Sequence, residues 1–201
     1  LDHSLPVDFT SDESDKPFLV IVNTSGGGLR SALWTFKMLQ VADSVTNGKL
    51  FKQTELITGA SGGLIGAGYF RELALQRELG KMDNIYDSKY TDYISKDILN
   101  PVAFSLAIHD FFIGFQKVDI GPNTYLKDRA YVFETQLNKN TGFMMDKSLK
   151  DYQEVEAEAL IPMMVLSPTI VNDGRRLLIS ATPASYLTYT LPKQQVSAFT
   201  N

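Results

Sequence analysis

The chain of 201 residues contains no cysteine. That excludes disulfides and zinc sites built on thiolates, although it leaves the compartment open. Histidine is almost as scarce, with only His3 and His109. Positive charge is not in excess: the formal net charge is −4 and the pI is about 5.2, so no nucleic-acid partner is expected. No apolar run approaches the roughly 18 residues of a membrane span, and no signal-peptide pattern is visible. Repeats and low-complexity segments are also missing. The chain opens on Leu1 instead of methionine, and it is expected to be a piece of a longer protein, incomplete at its C-terminus. What remains is ordinary globular composition, 44% hydrophobic and 21% charged, with enough length for one sizeable core.

Against this background two glycine-rich stretches stand out, Ser25-Gly26-Gly27-Gly28-Leu29-Arg30 and Gly59-Ala60-Ser61-Gly62-Gly63. The second is a G-x-S-x-G pentapeptide, whose glycines permit a turn too sharp for side chains at its flanks. Leu56-Ile57-Thr58 before it reads as a buried strand. Leu64 to Phe70 after it is small and apolar, as a helix packed on a sheet should be. Strand, glycine elbow and helix together form a nucleophile elbow.

Residues 1–16 are polar and acidic and read as a tail; the α/β domain is expected over 17–201. Phe18 to Val22 is a continuous apolar run, suggesting a strand covered on both faces. The triple glycine then opens a helix with an apolar face through Leu29, Leu33, Phe36 and Leu39/Gln40, stopped by Asn47-Gly48. The second strand is expected over 53–58 and the elbow helix over 61–79, closed by Gly80. From Gly28 to Ser61 is 33 residues, close to one βαβ unit. The two strands are then parallel neighbours, and both glycine loops open at the carboxyl edge of the sheet.

Residues 83–140 form a mainly helical insertion. Tyr86, Tyr90, Tyr93, Ile94 and Ile98 have helical spacing, and an aromatic stretch runs from Phe104 to Phe115. Core helices explain the pattern better than a lid. Gly121-Pro122 is a break, and 126–138 look helical. Lys147 to Leu160, with Glu154, Glu156 and Glu158, reads as a solvated face. Ile161–Leu166, Thr169–Val171 and Arg175–Ser180 are strand-like around Asn172-Asp173-Gly174, a hairpin signal.

A serine hydroxyl is a poor nucleophile until a base takes its proton, and acyl transfer also needs donors for the oxyanion. Amides at Gly26, Gly27, Gly28 and Gly62 suit the second task. For the first, a Ser–Asp–His triad would have to use His109, 48 residues after Ser61 and inside an expected helix. A packing role suits that histidine better, which leaves a serine paired directly with an aspartate.

The two motifs, in this order and spacing, resemble those of the patatin-like phospholipase family, over about residues 17–80. The resemblance implies a three-layer α/β sandwich with a mainly parallel central sheet and a Ser–Asp dyad that cleaves lipid acyl esters. Ser61 is then the nucleophile, Gly26, Gly27, Gly28 and Gly62 the oxyanion hole, and Arg30 a loop-holding or head-group-binding residue. No metal and no cofactor are implied. The substrate is a phospholipid or another acyl-ester lipid, with peripheral membrane contact and a cytoplasmic or membrane-associated location. The family's dyad aspartate stands in Asp-Gly-Gly or Asp-Gly-Ala. Here the only Asp-Gly is Asp173-Gly174, followed by Arg175, so the partner is either Asp173 or an aspartate beyond Asn201. Competing readings are a nucleotide- or phosphate-binding module using the triple glycine, a catalytically inactive lipid- or protein-binding relative, and plain tight turns. Against the module, Ser31 stands where G-x-G-x-x-G needs its last glycine, and no Walker lysine is present.

Overall fold

A computed structural model describes residues 18–108 and 116–185. The expected acidic tail, His109, and Phe111, Phe112 and Phe115 therefore lie outside the described residues. The order of elements is β1 (Val20–Thr24), α1 (Gly28–Val45), α2 (Lys49–Gln53), β2 (Thr54–Gly59) and α3 (Ser61–Glu78). Then follow α4 (Ser88–Ser95), α5 (Leu99–Ser105), β3 (Lys117–Ile120), β4 (Asn123–Leu126) and α6 (Arg129–Asn140). A 3-10 turn (Leu149–Tyr152) leads into α7 (Gln153–Ala157), β5 (Met163–Leu166) and β6 (Ile179–Ser180). The class is α/β.

Four strands form one sheet in the order β1-β2-β5-β6. β1 pairs with β2 in parallel, and β2 with β5 in parallel; only β6 runs antiparallel. The expected βαβ unit is therefore present, and Thr24 and Gly59 sit side by side at its carboxyl end. One sheet face is packed. Ile57 and Met164 meet Leu64 and Ala67 of α3, with Val22, Leu39 and Leu166 around them. Both α1 and α3 lie on this side, as a right-handed crossover from β1 to β2 to β5 requires.

The other face corrects two expectations. Ile21, Leu56 and Met163 share a register row and line an open cleft, with Ile21 55% exposed. Β1 is thus an edge strand covered on one face only. Among the described residues the sheet and its helices form two layers.

The helix α1 turns the expected face inward, with Leu33 and Leu39 packed against the core beside Phe36 and Gln40. Ala32, Phe36, Gln40 and Asp43 are buried, while Trp34, Met38, Val41 and Val45 are exposed. Polar groups occupy the inner stripe because they have partners there. Asp43 accepts from the Phe51 amide (2.8 Å) and from the Tyr86 hydroxyl (2.9 Å), and pairs with Arg77. Gln40 donates to the Ile85 carbonyl (3.1 Å). Asn47, at φ +53°, then ends the helix. Its amide bonds Ser44 and that of Gly48 bonds Asp43, satisfying the last carbonyls as a left-handed C-terminal cap should.

The first part of the inserted region is core, as the spacing of its aromatic residues suggests, whereas Leu99, Phe104 and Leu106 beyond it are exposed. Ile85, Tyr90 and Ile94 join Phe36, Phe70 and Leu73 in the main cluster. The insertion is not wholly helical, however. β3 and β4 form an antiparallel hairpin around Gly121-Pro122, where a simple break is expected.

The acidic stretch before β5 holds the largest departure. Glu156 is not a solvated residue: its side chain is 1% exposed and forms a salt bridge with Arg71, itself 3% exposed. Arg71 also donates from Nε to the Pro162 carbonyl (2.9 Å) and stacks over Tyr152. Beside it, buried Glu72 accepts from Tyr152 (2.8 Å) and Lys147 (2.5 Å). Burial pulls the Arg71 pKa down, and Glu156 opposes that shift. This network ties α3 to α7 and to the start of β5.

Candidate active site

The chain must reverse sharply between β2 and α3, and it does so at Ser61. The serine has φ +57°, a left-handed conformation that a residue with a Cβ adopts only under constraint. The constraint comes from α1. A Cβ on Gly62 would overlap the Gly28 carbonyl oxygen, so the elbow helix and the triple-glycine loop touch backbone to backbone. The loop is braced from within, since the Ser31 hydroxyl donates to the Ser25 carbonyl (2.6 Å).

This contact brings the two motifs together. The position a Cβ would take on Gly26 lies 3.4 Å from Ser61 Cβ and 3.9 Å from Ser61 Oγ. Gly27, at φ +143°, is the N-cap of α1, and Gly28, at φ +62°, its first residue. The first amides of a helix have no carbonyl one turn back to bond, so they are available to an incoming oxygen. Ser61 is exposed, and its hydroxyl makes no hydrogen bond to a described residue.

Two cavities adjoin beside the serine. One, of about 350 Å³, is apolar and runs along α3 and β5, lined by Ser61, Leu64, Ile65, Met145, Met164 and Leu166. The other, of about 480 Å³, is polar and lies over the carboxyl ends of the strands, lined by Asn23, Ser25, Gly26, Gly59, Ser167 and Arg176. Ala60 and Ser167 border both. Ser167 is held by its amide to the Gly59 carbonyl (3.2 Å). No Asp, Glu, His or Lys lines either cavity among the described residues.

Arg30 is exposed in the first turn of α1, without an ion pair to a described residue. Asp173 sits elsewhere. The expected hairpin is present, with Val165 and Leu166 paired to Ser180 and Ile179, a bridge between Thr169 and Arg176, and its tip at 171–174. At that tip Asp173 accepts from the Arg175 amide (3.0 Å) and pairs with its guanidinium at 2.7 Å. The Arg175 hydrogen bond lowers its pKa below the usual carboxylate value, which weakens it as a base. It lines neither cavity at Ser61.

Sequence reasoning missed Ser167, which lines the apolar cavity with the serine, and Arg176, which lines the adjoining polar cleft. The usable signal was the hairpin itself, whose first strand follows β2 in the sheet and so ends at the same edge. Among the described residues no three His, Cys, Asp or Glu side chains converge as metal ligands. No helix among them is long and apolar enough to cross a membrane. Compared with known proteins, the chain matches no family model, no curated protein and no solved structure.

Proposed function

We propose that this chain is a serine acyl hydrolase acting on lipid esters, with Ser61 as its nucleophile. The observation that carries the reading is the strained Ser61, held against the Gly26 loop where an apolar and a polar cavity meet. Ser61 Oγ attacks the ester carbonyl and gives up its proton to a carboxylate. The oxyanion that develops faces the amides of the Gly26-Gly27-Gly28 loop and Gly62. The leaving alcohol departs with the proton, and water then hydrolyses the acyl-enzyme.

The acyl chain lies in the apolar cavity between α3 and β5. Its alcohol portion lies in the polar cleft. The proton acceptor is an aspartate outside the described residues, since Asp173 lines neither cavity. The sheet order and the two loops support a patatin-like arrangement. The exposed stripe of Trp34, Met38, Val41 and Val45 on α1, beside Arg30 and Lys37, supports contact with a lipid surface.

A series of p-nitrophenyl esters of increasing acyl length tests this reading. Each methylene buried in the apolar cavity contributes about 0.8 kcal/mol, so kcat/KM rises up to about fourfold per methylene until the cavity is full. Ser61→Ala abolishes the activity. A flat series, or turnover that survives in Ser61→Ala, contradicts the proposal.

A further inference from the structure

We infer that the polar cleft is an anion subsite in which Arg176 binds a phosphate group carried by the substrate's alcohol portion. This rests on the acyl-hydrolase reading for the substrate, but the subsite itself follows from the cleft. Arg176 is its one charged lining residue among those described, and the others offer hydroxyls, a carboxamide and backbone. The guanidinium has no hydrogen bond or ion pair to a described residue. Its neighbour Arg175 differs in this respect, being paired with Asp173 at 2.7 Å. With no carboxylate lining the cleft among the described residues, an entering anion is the natural partner of Arg176.

The backbone fixes where this charge is delivered. Thr169 bridges Arg176 across the hairpin, and the Leu177 amide donates to the Pro168 carbonyl (2.8 Å). Pro168 and Ser167 in turn border the apolar cavity at Ser61. The hairpin thus sets Arg176 in the polar cleft that Gly26 also lines, and this cleft adjoins the acyl cavity at Ala60 and Ser167. A substrate with its acyl chain on Met145 and Met164 extends its alcohol portion towards this guanidinium. The subsite therefore selects phosphate-bearing acyl esters over neutral ones. Asn23 and Ser25 supply further polar groups lining the same cleft.

The test has a catalytic and a binding arm. In the first, hydrolysis of a monoacylglycerol is compared with that of its 3-phosphate in the native protein, Arg176→Gln and Arg176→Lys. Loss of a charge-assisted contact lowers kcat/KM for the phosphate ester by about 10- to 150-fold in Arg176→Gln, with partial recovery in Arg176→Lys. The neutral ester is hydrolysed unchanged. Equal loss on both esters, or on neither, overturns the proposal.

In the second arm, inorganic phosphate and glycerol 3-phosphate are titrated by calorimetry into the native protein, Arg176→Gln and Arg30→Gln. Binding that weakens tenfold or more in Arg176→Gln and persists in Arg30→Gln upholds the subsite. Absence of binding to the native protein, or equal binding to all three, overturns it. If neither ester is hydrolysed while Arg176-dependent binding is present, the hydrolase reading fails but the anion site stands. The ligand is then a free phosphate compound. If glycerol 3-phosphate binds more tightly than inorganic phosphate and the phosphate ester is cleaved, the source is a lipid head group.

Discussion

Glu156→Ala is expected to destabilise the protein by about 3–5 kcal/mol, because it leaves the buried Arg71 guanidinium without its counter-charge. In a domain of this size that corresponds to roughly 2–4 °C per kcal/mol, a loss of about 6–20 °C in Tm. The carboxylate does more than neutralise Arg71. It also accepts from the Met164 amide (3.3 Å) and the Thr182 hydroxyl (3.2 Å), so its removal strips partners from β5 and from the segment after β6. The double variant Arg71→Met with Glu156→Leu removes both charges and should recover part of the loss, since apolar replacements of a buried pair are often neutral. Thermal and urea denaturation check both. A cost below about 1 kcal/mol for Glu156→Ala, the usual worth of an exposed pair, contradicts the buried network.

Gly62→Ala is expected to damage both fold and chemistry. The added methyl occupies the place of the Gly28 carbonyl oxygen, and backbone lies on both sides of the contact. Either the start of α1 or the elbow must move. Overpacking of this kind costs about 1–3 kcal/mol. Displacement of the oxyanion loop costs about 10²–10³-fold in kcat, the effect of losing one donor elsewhere. Gly68→Ala on the same helix is the control for stability. Its new methyl meets only flexible methionine tips, Met145 Cε and Met164 Cε at 3.5 Å, so its stability stays near that of the native protein. A Gly62→Ala protein as stable and as active as the native one contradicts the backbone contact.

Much of the part of the fold that carries the site was legible because its signals are local. Thr54–Gly59, the glycine elbow and the helix after it follow one another in sequence, and the βαβ spacing sets the parallel neighbour. Asn172-Asp173-Gly174 likewise marks its own turn. What was hidden depends on distant partners. Glu156 looks solvated beside Glu154 and Glu158, and only Arg71, far earlier in the chain, makes it an interior residue. The burial of Asp43 on the inward face of α1 was hidden for the same reason. Gln40 and Asp43 find their acceptors and donors near Ile85, Tyr86 and Arg77, so polarity does not point them outwards. Meanwhile Trp34 and Met38 stay exposed. The site itself divides in the same way. Ser61 and Gly26 could be named from their motifs, whereas Arg176 carries no motif and is brought to the cleft only by the pairing of β5 with β6.

The central claim is that Ser61 is an activated nucleophile. Reaction with a fluorophosphonate, followed by intact mass and peptide mapping, tests it most directly. The account predicts a single adduct on Ser61 that is absent from a folded Ser61→Ala variant. An adduct that persists in Ser61→Ala, or a folded native protein that forms none, would contradict it.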